Sequence, residues 1–189
     1  MDHIVGNVRI ECVEGDITHQ SEFDAIVNAA NAELRTGGGV AGAIHRAAGP
    51  ELDRACRPFA PIRPGQAVLT PGFHLPNKHV IHCLGPVYGV DEPSDTLLAS
   101  CYRRALELAD SHSVTSIAFP AISTGTFGFP MAQAAWIAMK TIGEMVPVLK
   151  NVRRIRFVLW GAEALSAHEA AFGQACWKAL NGKTPTQQL

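Results

Sequence analysis

The sequence lacks the features that direct a protein to nucleic acid or to a membrane. Its 16 lysines and arginines are balanced by 17 acidic residues, for a formal net charge of −1 at pH 7. Dedicated nucleic-acid binders usually carry a marked basic excess, so that function is disfavoured. No apolar run is long enough to span a bilayer, and residues 1–7 lack the basic start and apolar stretch of a signal peptide. We therefore expect a cytoplasmic protein.

Cysteine is also used in a way that excludes several classes. The five cysteines are odd in number and widely spaced, with no Cys-x-x-Cys pair. This pattern disfavours a disulfide framework and a structural zinc site. Reduced thiols are the expectation. We expect no bound metal and no cofactor.

What remains is the composition of an ordinary globular protein, with 189 residues, 47% hydrophobic and 17% charged. That length suits one domain with a substantial core. From residue 25 onward, strand patterns alternate with helix patterns. The alternation predicts a three-layer α/β/α sandwich with a mixed, largely parallel sheet of about six strands. We assign residues 1–180 to a single domain and 181–189 to a flexible polar tail.

Apolar periodicity places the individual elements. The predicted strands are 8–13, 25–29, 66–70, 79–83, 116–120 and 154–160. The predicted helices are 40–55, 94–111, one beginning at Pro130, and 164–180. Pro50 interrupts the first helical span, which allows either one helix or two.

The most distinctive stretch lies between the second strand and the first helix. It contains Asn28-Ala29-Ala30-Asn31 and then Gly37-Gly38-Gly39. Three consecutive glycines remove every Cβ that would keep a ligand from the backbone amides. The start of a helix adds unpaired N–H groups and partial positive charge, so the stretch suits a phosphate. No Lys-Ser or Lys-Thr follows the glycines, so a triphosphatase P-loop is disfavoured.

A second loop, residues 121–130, follows the predicted strand 116–120. It contains two glycines, three hydroxyl side chains and aromatic residues. Open α/β sheets bind ligands at the carboxyl ends of their strands, where both loops are expected. Two loops rich in hydrogen-bond donors suit a diphosphate held between them.

Four blocks in this order resemble the signature of the macrodomain family. They are Gly15-Asp16-Ile17-Thr18, Asn28-Ala29-Ala30-Asn31, Gly37-Gly38-Gly39-Val40-Ala41-Gly42-Ala43-Ile44 and Ile122-Ser123-Thr124-Gly125-Thr126-Phe127-Gly128-Phe129-Pro130. The resemblance covers roughly residues 8–180. That family comprises ADP-ribose-binding modules and ADP-ribosyl hydrolases. The resemblance therefore implies ADP-ribose, free or attached to a protein, as the ligand.

The resemblance also implies individual roles. The implied ligand-binding residues are Asp16, Ile17, Asn31, Gly38, Gly39, Val40, Ser123, Thr124, Gly125, Thr126, Phe127 and Trp160, with Asn31 and Phe127 also placed in catalysis. Asp16 would accept from the adenine amino group, Trp160 would face adenine, and Asn31 would bind the distal ribose.

Each of several residues also has a purely structural alternative. Asp16 suits a turn or helix cap, and Trp160 and Phe127 suit core aromatics. Asn28 is expected to brace its loop. A lone helical histidine such as His45 is more often surface or core than catalytic.

One position departs from the resemblance. In MacroD-type hydrolases an aspartate linked to catalysis follows Gly-Gly-Val, and here that position is Ala41. Loss of a general base typically lowers a rate by ~10²–10⁴-fold. Archaeal and viral macrodomains carry the same alanine, and several of those still hydrolyse ADP-ribosyl esters.

Three functions therefore compete. The first is hydrolysis of esters such as mono-ADP-ribosyl-Asp or -Glu, O-acetyl-ADP-ribose and ADP-ribose 1″-phosphate. The second is an ADP-ribose reader with negligible turnover. The third, binding of poly-adenylate, is disfavoured by the charge balance. Nothing in the sequence predicts an oligomeric state.

Overall fold

The structure, a computed structural model, describes residues 2–181 of the chain. Within that range seven strands form one sheet in the order β1-β2-β7-β6-β3-β5-β4. The strands are β1 Asp2–Val5, β2 Val8–Glu14, β3 Ala25–Ala29, β4 Ala67–Pro71, β5 His79–Cys83, β6 Ser116–Phe119 and β7 Arg154–Leu159.

The five inner strands run parallel to one another, and the two edge strands are antiparallel to their neighbours. The prediction of a mixed, largely parallel sheet is thus confirmed, with seven strands in place of about six. The additional strand is β1. It was missed because Asp2, His3 and Ile4 are all exposed, so they show no buried alternation. The Gly6-Asn7 pair between β1 and β2 is the hairpin signal that predicts it.

Five helices accompany the sheet. They are α1 Gly39–Ala48, α2 Pro50–Cys56, α3 Ser94–Ser111, α4 Met131–Met145 and α5 Ala162–Asn181. The span 40–55 is two helices because Gly49 has φ +88° and Pro50 begins the second one. Pro130 is the N-cap residue of α4, whereas it was predicted to be the first residue of the helix.

The helices cover both faces of the sheet. Helices α1 and α2 bury Ile44 and Leu52 against Ile26 of β3. Helices α3, α4 and α5 cover the other face, where Phe119 and Phe157 stack with ring centroids 5.7 Å apart. The three-layer prediction is confirmed, because successive β3 side chains enter opposite layers.

Helix α5 ends at Asn181, and the tail predicted for 181–189 otherwise lies outside the described residues. Cys12, Cys56, Cys83 and Cys101 are buried and form no disulfide among the residues described. Across residues 2–181, no helix has both the length and the apolar character needed to cross a membrane.

Candidate ligand-binding cleft

The sheet topology brings the candidate residues to one edge. Asp16 follows β2, Trp160 follows β7, Ser123 follows β6 and Asn31 follows β3. These four strands are parallel neighbours in the order β2-β7-β6-β3. Residues far apart in sequence therefore line one carboxyl edge in that order. With strands about 4.8 Å apart, the row is about 14 Å long, which suits an elongated ligand.

The cleft lies where the chain changes direction between β3 and β6. After β3 the chain continues into α1, which covers one face of the sheet. After the adjacent β6 it continues into α4, which covers the opposite face. Loops that diverge from neighbouring strands leave a crevice outside the strand ends, the usual ligand position in open α/β sheets.

The glycine loop presents its backbone to this crevice. Gly38 caps α1, and Gly39 has φ +53°, a left-handed conformation that favours glycine. A Cβ at Gly38 or Gly39 would meet nothing within 4 Å, so the space above these residues is open. A Cβ at Gly42, in contrast, would overlap the Gly37 carbonyl oxygen. The loop is therefore open toward the cleft and tightly packed against α1.

Asn31 holds the start of the same loop closed. Its Nδ2 donates to the Arg35 carbonyl oxygen at 2.8 Å, and its Oδ1 accepts from the Arg35 N–H at 3.0 Å. One N–H and one lone pair of the amide remain for a ligand. Asn31 thus braces this loop, whereas the side chain of Asn28, which was expected to do so, contacts His82 Nδ1 at 3.1 Å.

The loop after β6 is held by its own backbone. The Phe129 N–H donates to Ser123 O at 3.0 Å, and the Gly128 N–H donates to Gly125 O at 2.9 Å. Ser123 has φ +66°, and its buried hydroxyl has no partner among the described residues. Thr126 and Gly125 are exposed. Strain of this kind at a loop tip is typical of binding sites.

Phe127 connects this loop to a second loop, around Tyr88, that was not predicted from the sequence. Its ring is half-buried and packs against the α1–α2 layer. Its carbonyl oxygen accepts from the Tyr88 N–H at 2.9 Å. The Tyr88 ring lies 4.8 Å from that of Phe129 and is 42% exposed. Tyr88 comes two residues after Gly85-Pro86. A Gly-Pro pair directly after a strand is the sequence signal that could have indicated a loop at this edge of the sheet.

Asp16 and Trp160 lie at the other end of the row. Asp16 caps a short 3₁₀ helix, Ile17–His19, by accepting from the Thr18 N–H at 2.8 Å. This hydrogen bond lowers the pKa of Asp16 and keeps the carboxylate charged. Trp160 is 87% exposed, which excludes the core alternative. Ile17 is buried, and the Gly15 N–H donates to Leu159 O, which joins the ends of β2 and β7.

Comparison with known proteins decides the family. The family model described as Macro domain matches residues 27–138. A macro domain-containing protein of Ralstonia nicotianae is 48% identical over 172 residues, which cover 90% of this chain and 98% of the relative. The chain belongs to the macro domain family.

Other relatives of this macrodomain carry ligands or activities in their names. An O-acetyl-ADP-ribose deacetylase of Salmonella typhimurium is 46% identical, over 82% of this chain and 89% of that protein. The Oceanobacillus iheyensis macrodomain with ADP superposes with a TM-score of 0.89 at 39% identity, covering 94% of this chain and 97% of that one. The Trypanosoma brucei macrodomain in complex with ADP-ribose gives 0.79 at 37% identity, covering 85% and 68%.

Ala41 of this macrodomain lies in the first turn of α1, beneath the glycine loop. It is 5% exposed, and its methyl group is 3.9 Å from where a Cβ at Gly37 would lie. No carboxylate stands at this point. The groups of the loop that could bind a diphosphate are backbone N–H groups, and the methyl group of Ala41 adds none.

A buried polar cluster beneath the cleft was also missed, because its members come from separate elements. His45, Cys56 and His82 place one nitrogen or sulfur each within 4.8 Å of one another. These donor types could hold a soft cation such as Zn²⁺. Neither ring nitrogen of His45 has a hydrogen-bond partner in the described part of the chain, so His45 is a core histidine but not a satisfied one. These residues are brought together by the tertiary fold, and their spacing in the sequence gives no sign of it.

Proposed function

We propose that this macrodomain binds ADP-ribose along the row of loops and hydrolyses ADP-ribose esters. The observation that carries the proposal is the arrangement of the loops after β2, β7, β6 and β3 in a single row beside an open glycine loop. Solved relatives with ADP and ADP-ribose bound support the ligand. Relatives called O-acetyl-ADP-ribose deacetylase support the reaction.

The adenine end of the ligand belongs at Asp16 and Trp160. The Asp16 carboxylate, charged at neutral pH, accepts from the adenine amino group, and Ile17 forms the apolar floor beside it. The exposed indole of Trp160 provides a stacking face. Stacking of a base on an aromatic ring contributes about 1–3 kcal/mol.

The diphosphate belongs between the two loops. The unpaired N–H groups of the first turn of α1, at Gly39 and Val40, together with Gly38, donate from one side. The opposite loop donates from the other, through Ser123, Thr124, Gly125 and Thr126. Neutral amides and hydroxyls bind the phosphates here, which agrees with the chain's near-zero net charge.

The distal ribose and its ester belong beside Asn31 and Phe127. The N–H and lone pair that Asn31 does not use on Arg35 bind ribose hydroxyls, and the Phe127 ring limits the position of the sugar. We assign these two residues the catalytic positions. Because Ala41 supplies no base, we propose that a phosphate of the ligand itself positions the attacking water. The substrates are mono-ADP-ribosyl-Asp or -Glu, O-acetyl-ADP-ribose or ADP-ribose 1″-phosphate.

Ala41 also supports a second candidate, an ADP-ribose reader with negligible turnover. In both cases the partners are ADP-ribose or ADP-ribosylated proteins of the cytoplasm, and nucleic acid is not one of them. The two candidates differ in whether bound substrate is cleaved, so a turnover assay distinguishes them.

The deciding experiment compares wild type with Ala41→Asp on an automodified mono-ADP-ribosylated acceptor carrying a label on its ADP-ribose. The hydrolase proposal expects label release by both proteins, with faster release by Ala41→Asp. Calorimetry with ADP-ribose, run in parallel, reports binding alone. Tight binding by wild type with no release over hours from any of the three substrate types would select the reader.

A further inference from the structure

A hydrogen-bonded chain of three side chains lies buried beneath the cleft. Thr70 Oγ1 is 2.9 Å from His82 Nε2, and His82 Nδ1 is 3.1 Å from the Asn28 amide nitrogen. All three residues are at most 1% exposed. They are surrounded by the apolar core under α1 and α2. A polar chain in such surroundings is costly to break, because each orphaned group loses its partner without regaining water. We call these three residues the buried relay.

The buried relay crosses three neighbouring strands and ends close to the cleft. Thr70 is on β4, His82 on β5 and Asn28 on β3, directly opposite His82 in the strand register. Strand pairing continues past β3, where the Ala30 N–H donates to Cys83 O at 2.9 Å. The next residue is Asn31, whose side chain closes the glycine loop on Arg35.

The helical side of the loop contacts the same imidazole. Cys56 Sγ, from α2, lies 3.6 Å from His82 Nε2. The His45 ring, from α1, lies 6.3 Å from the His82 ring between centroids. The first turn of α1 borders the glycine loop. His82 therefore contacts the strand that enters the loop and lies beside a ring of the helix that follows it.

Hydrogen bonds account for both ring nitrogens of His82, which suits a brace. The Asn28 amide nitrogen can only donate, so His82 Nδ1 accepts its proton and the ring is neutral. A neutral imidazole donates from one nitrogen and accepts at the other, so Thr70 and Asn28 occupy both. A metal would need a Cys56 thiolate and the lone pair of His82 Nε2.

We propose that Thr70, His82 and Asn28 are positioning residues that fix the glycine loop, so that ADP-ribose affinity depends on a hydrogen bond outside the cleft. The inference rests on the proposed function for its ligand. It adds a dependence on β4, an edge strand that contributes no residue to the proposed ADP-ribose contacts. Thr70 is the residue to test, because its removal leaves the cleft chemically intact.

The test compares Thr70→Val with a matched control, Thr141→Val. Thr141 is 2% exposed, and its hydroxyl donates to the Ile137 carbonyl oxygen at 2.7 Å within α4, away from the relay. Each variant replaces one buried, hydrogen-bonded hydroxyl by a methyl group. Calorimetry with ADP-ribose on the full chain should show affinity about 2- to 30-fold weaker for Thr70→Val, the range of couplings carried through packed networks. Thr141→Val should bind as wild type does, and Thr70→Ser should restore affinity.

A second measurement needs no ligand. Hydrogen exchange at the Ala30, Leu34 and Arg35 amides, all hydrogen-bonded around the loop, should be faster in Thr70→Val than in Thr141→Val. Equal exchange in the two variants would overturn the inference, as would equal affinity. If wild type does not bind ADP-ribose, the proposed function fails. The hydrogen-exchange comparison then decides by itself whether the buried relay fixes the glycine loop. One equivalent of tightly bound metal, lost on His82→Leu, would also overturn the relay.

Discussion

Adding a single methyl group at Gly42 should move the glycine loop without changing any side chain in the cleft. A Cβ at this position would overlap the Gly37 carbonyl oxygen, and would lie 2.9 Å from Arg46 Nη1. The arginine can rotate away, but a backbone oxygen cannot. For that contact to reach 3.0 Å, the shortest a real Cβ makes, the loop and α1 must separate by more than half an ångström.

Displacement of a binding group by about 1 Å can cost on the order of 10²-fold in rate. For Gly42→Ala we therefore expect ADP-ribose affinity to fall by on the order of tenfold or more. The chain should still fold, because the added methyl group raises helix propensity by about 1 kcal/mol and offsets part of the clash.

The matched control is Gly143→Ala, in the interior of α4. A Cβ there meets nothing within 4 Å, so only the gain in helix propensity remains. Calorimetry gives the affinities, and circular dichroism melting gives the stabilities. Gly143→Ala should bind as wild type does and melt at a higher temperature. If Gly42→Ala also bound ADP-ribose with wild-type affinity, the tight packing of loop on helix would not set the geometry of the phosphate seat.

Two further substitutions probe other parts of the structure. Trp160→Ala should weaken ADP-ribose binding by about 5- to 150-fold, the equivalent of about 1–3 kcal/mol of stacking, with no change in melting temperature because the side chain is 87% exposed; unchanged calorimetric affinity would remove Trp160 from the adenine site. Asp24→Asn tests acid stability. Burial raises the pKa of Asp24, but hydrogen bonds from Thr115, one of them 2.6 Å long, lower it from 3.8 to about 2. A depressed folded-state pKa gives stability that is present above pH about 4 and lost as the pH falls toward 2. We expect Asp24→Asn to be about 2 kcal/mol less stable at pH 7 in urea unfolding, with the difference shrinking below pH 4; a difference independent of pH would contradict this assignment.

Sequence patterns predicted the features that depend on local spacing. The glycine loop, the helical segments and the largely parallel character of the sheet follow from apolar periodicity, prolines and glycines. Asp16 was left open between a cap and a ligand contact, and the structure shows that it is a cap. The cap hydrogen bonds use Oδ1, so the adenine contact proposed for Asp16 falls to Oδ2, which lies 3.2 Å from His19 Nδ1.

Features assembled by tertiary packing could not be predicted in the same way. Thr70, His82 and Asn28 come from three strands, and only the sheet order places them in hydrogen-bond contact. The sequence gives no sign of these contacts of His82, because Thr70 and Asn28 lie on other strands. Tyr88 escaped for a similar reason, since its contacts are with the loop after β6. In each case the decisive partner is distant in sequence.

Ala41, the buried alanine in α1, affects two properties of the site differently, namely affinity for ADP-ribose and the rate of turnover. The proposed diphosphate seat consists of backbone N–H groups, a helix N-terminus and hydroxyls, and the side chain of Ala41 supplies none of these groups. Binding of ADP-ribose therefore needs no functional group from the side chain of Ala41. Turnover is more sensitive to this position, because the attacking water must be oriented and must lose a proton, and beside Ala41 only the ligand's own phosphate is proposed to position it. With Ala41 at 5% exposure, an aspartate introduced there would be partly desolvated, and desolvation raises a carboxyl pKa toward that of a useful base. We therefore expect substitution of Ala41 by aspartate to change the rate of hydrolysis more than the affinity for ADP-ribose.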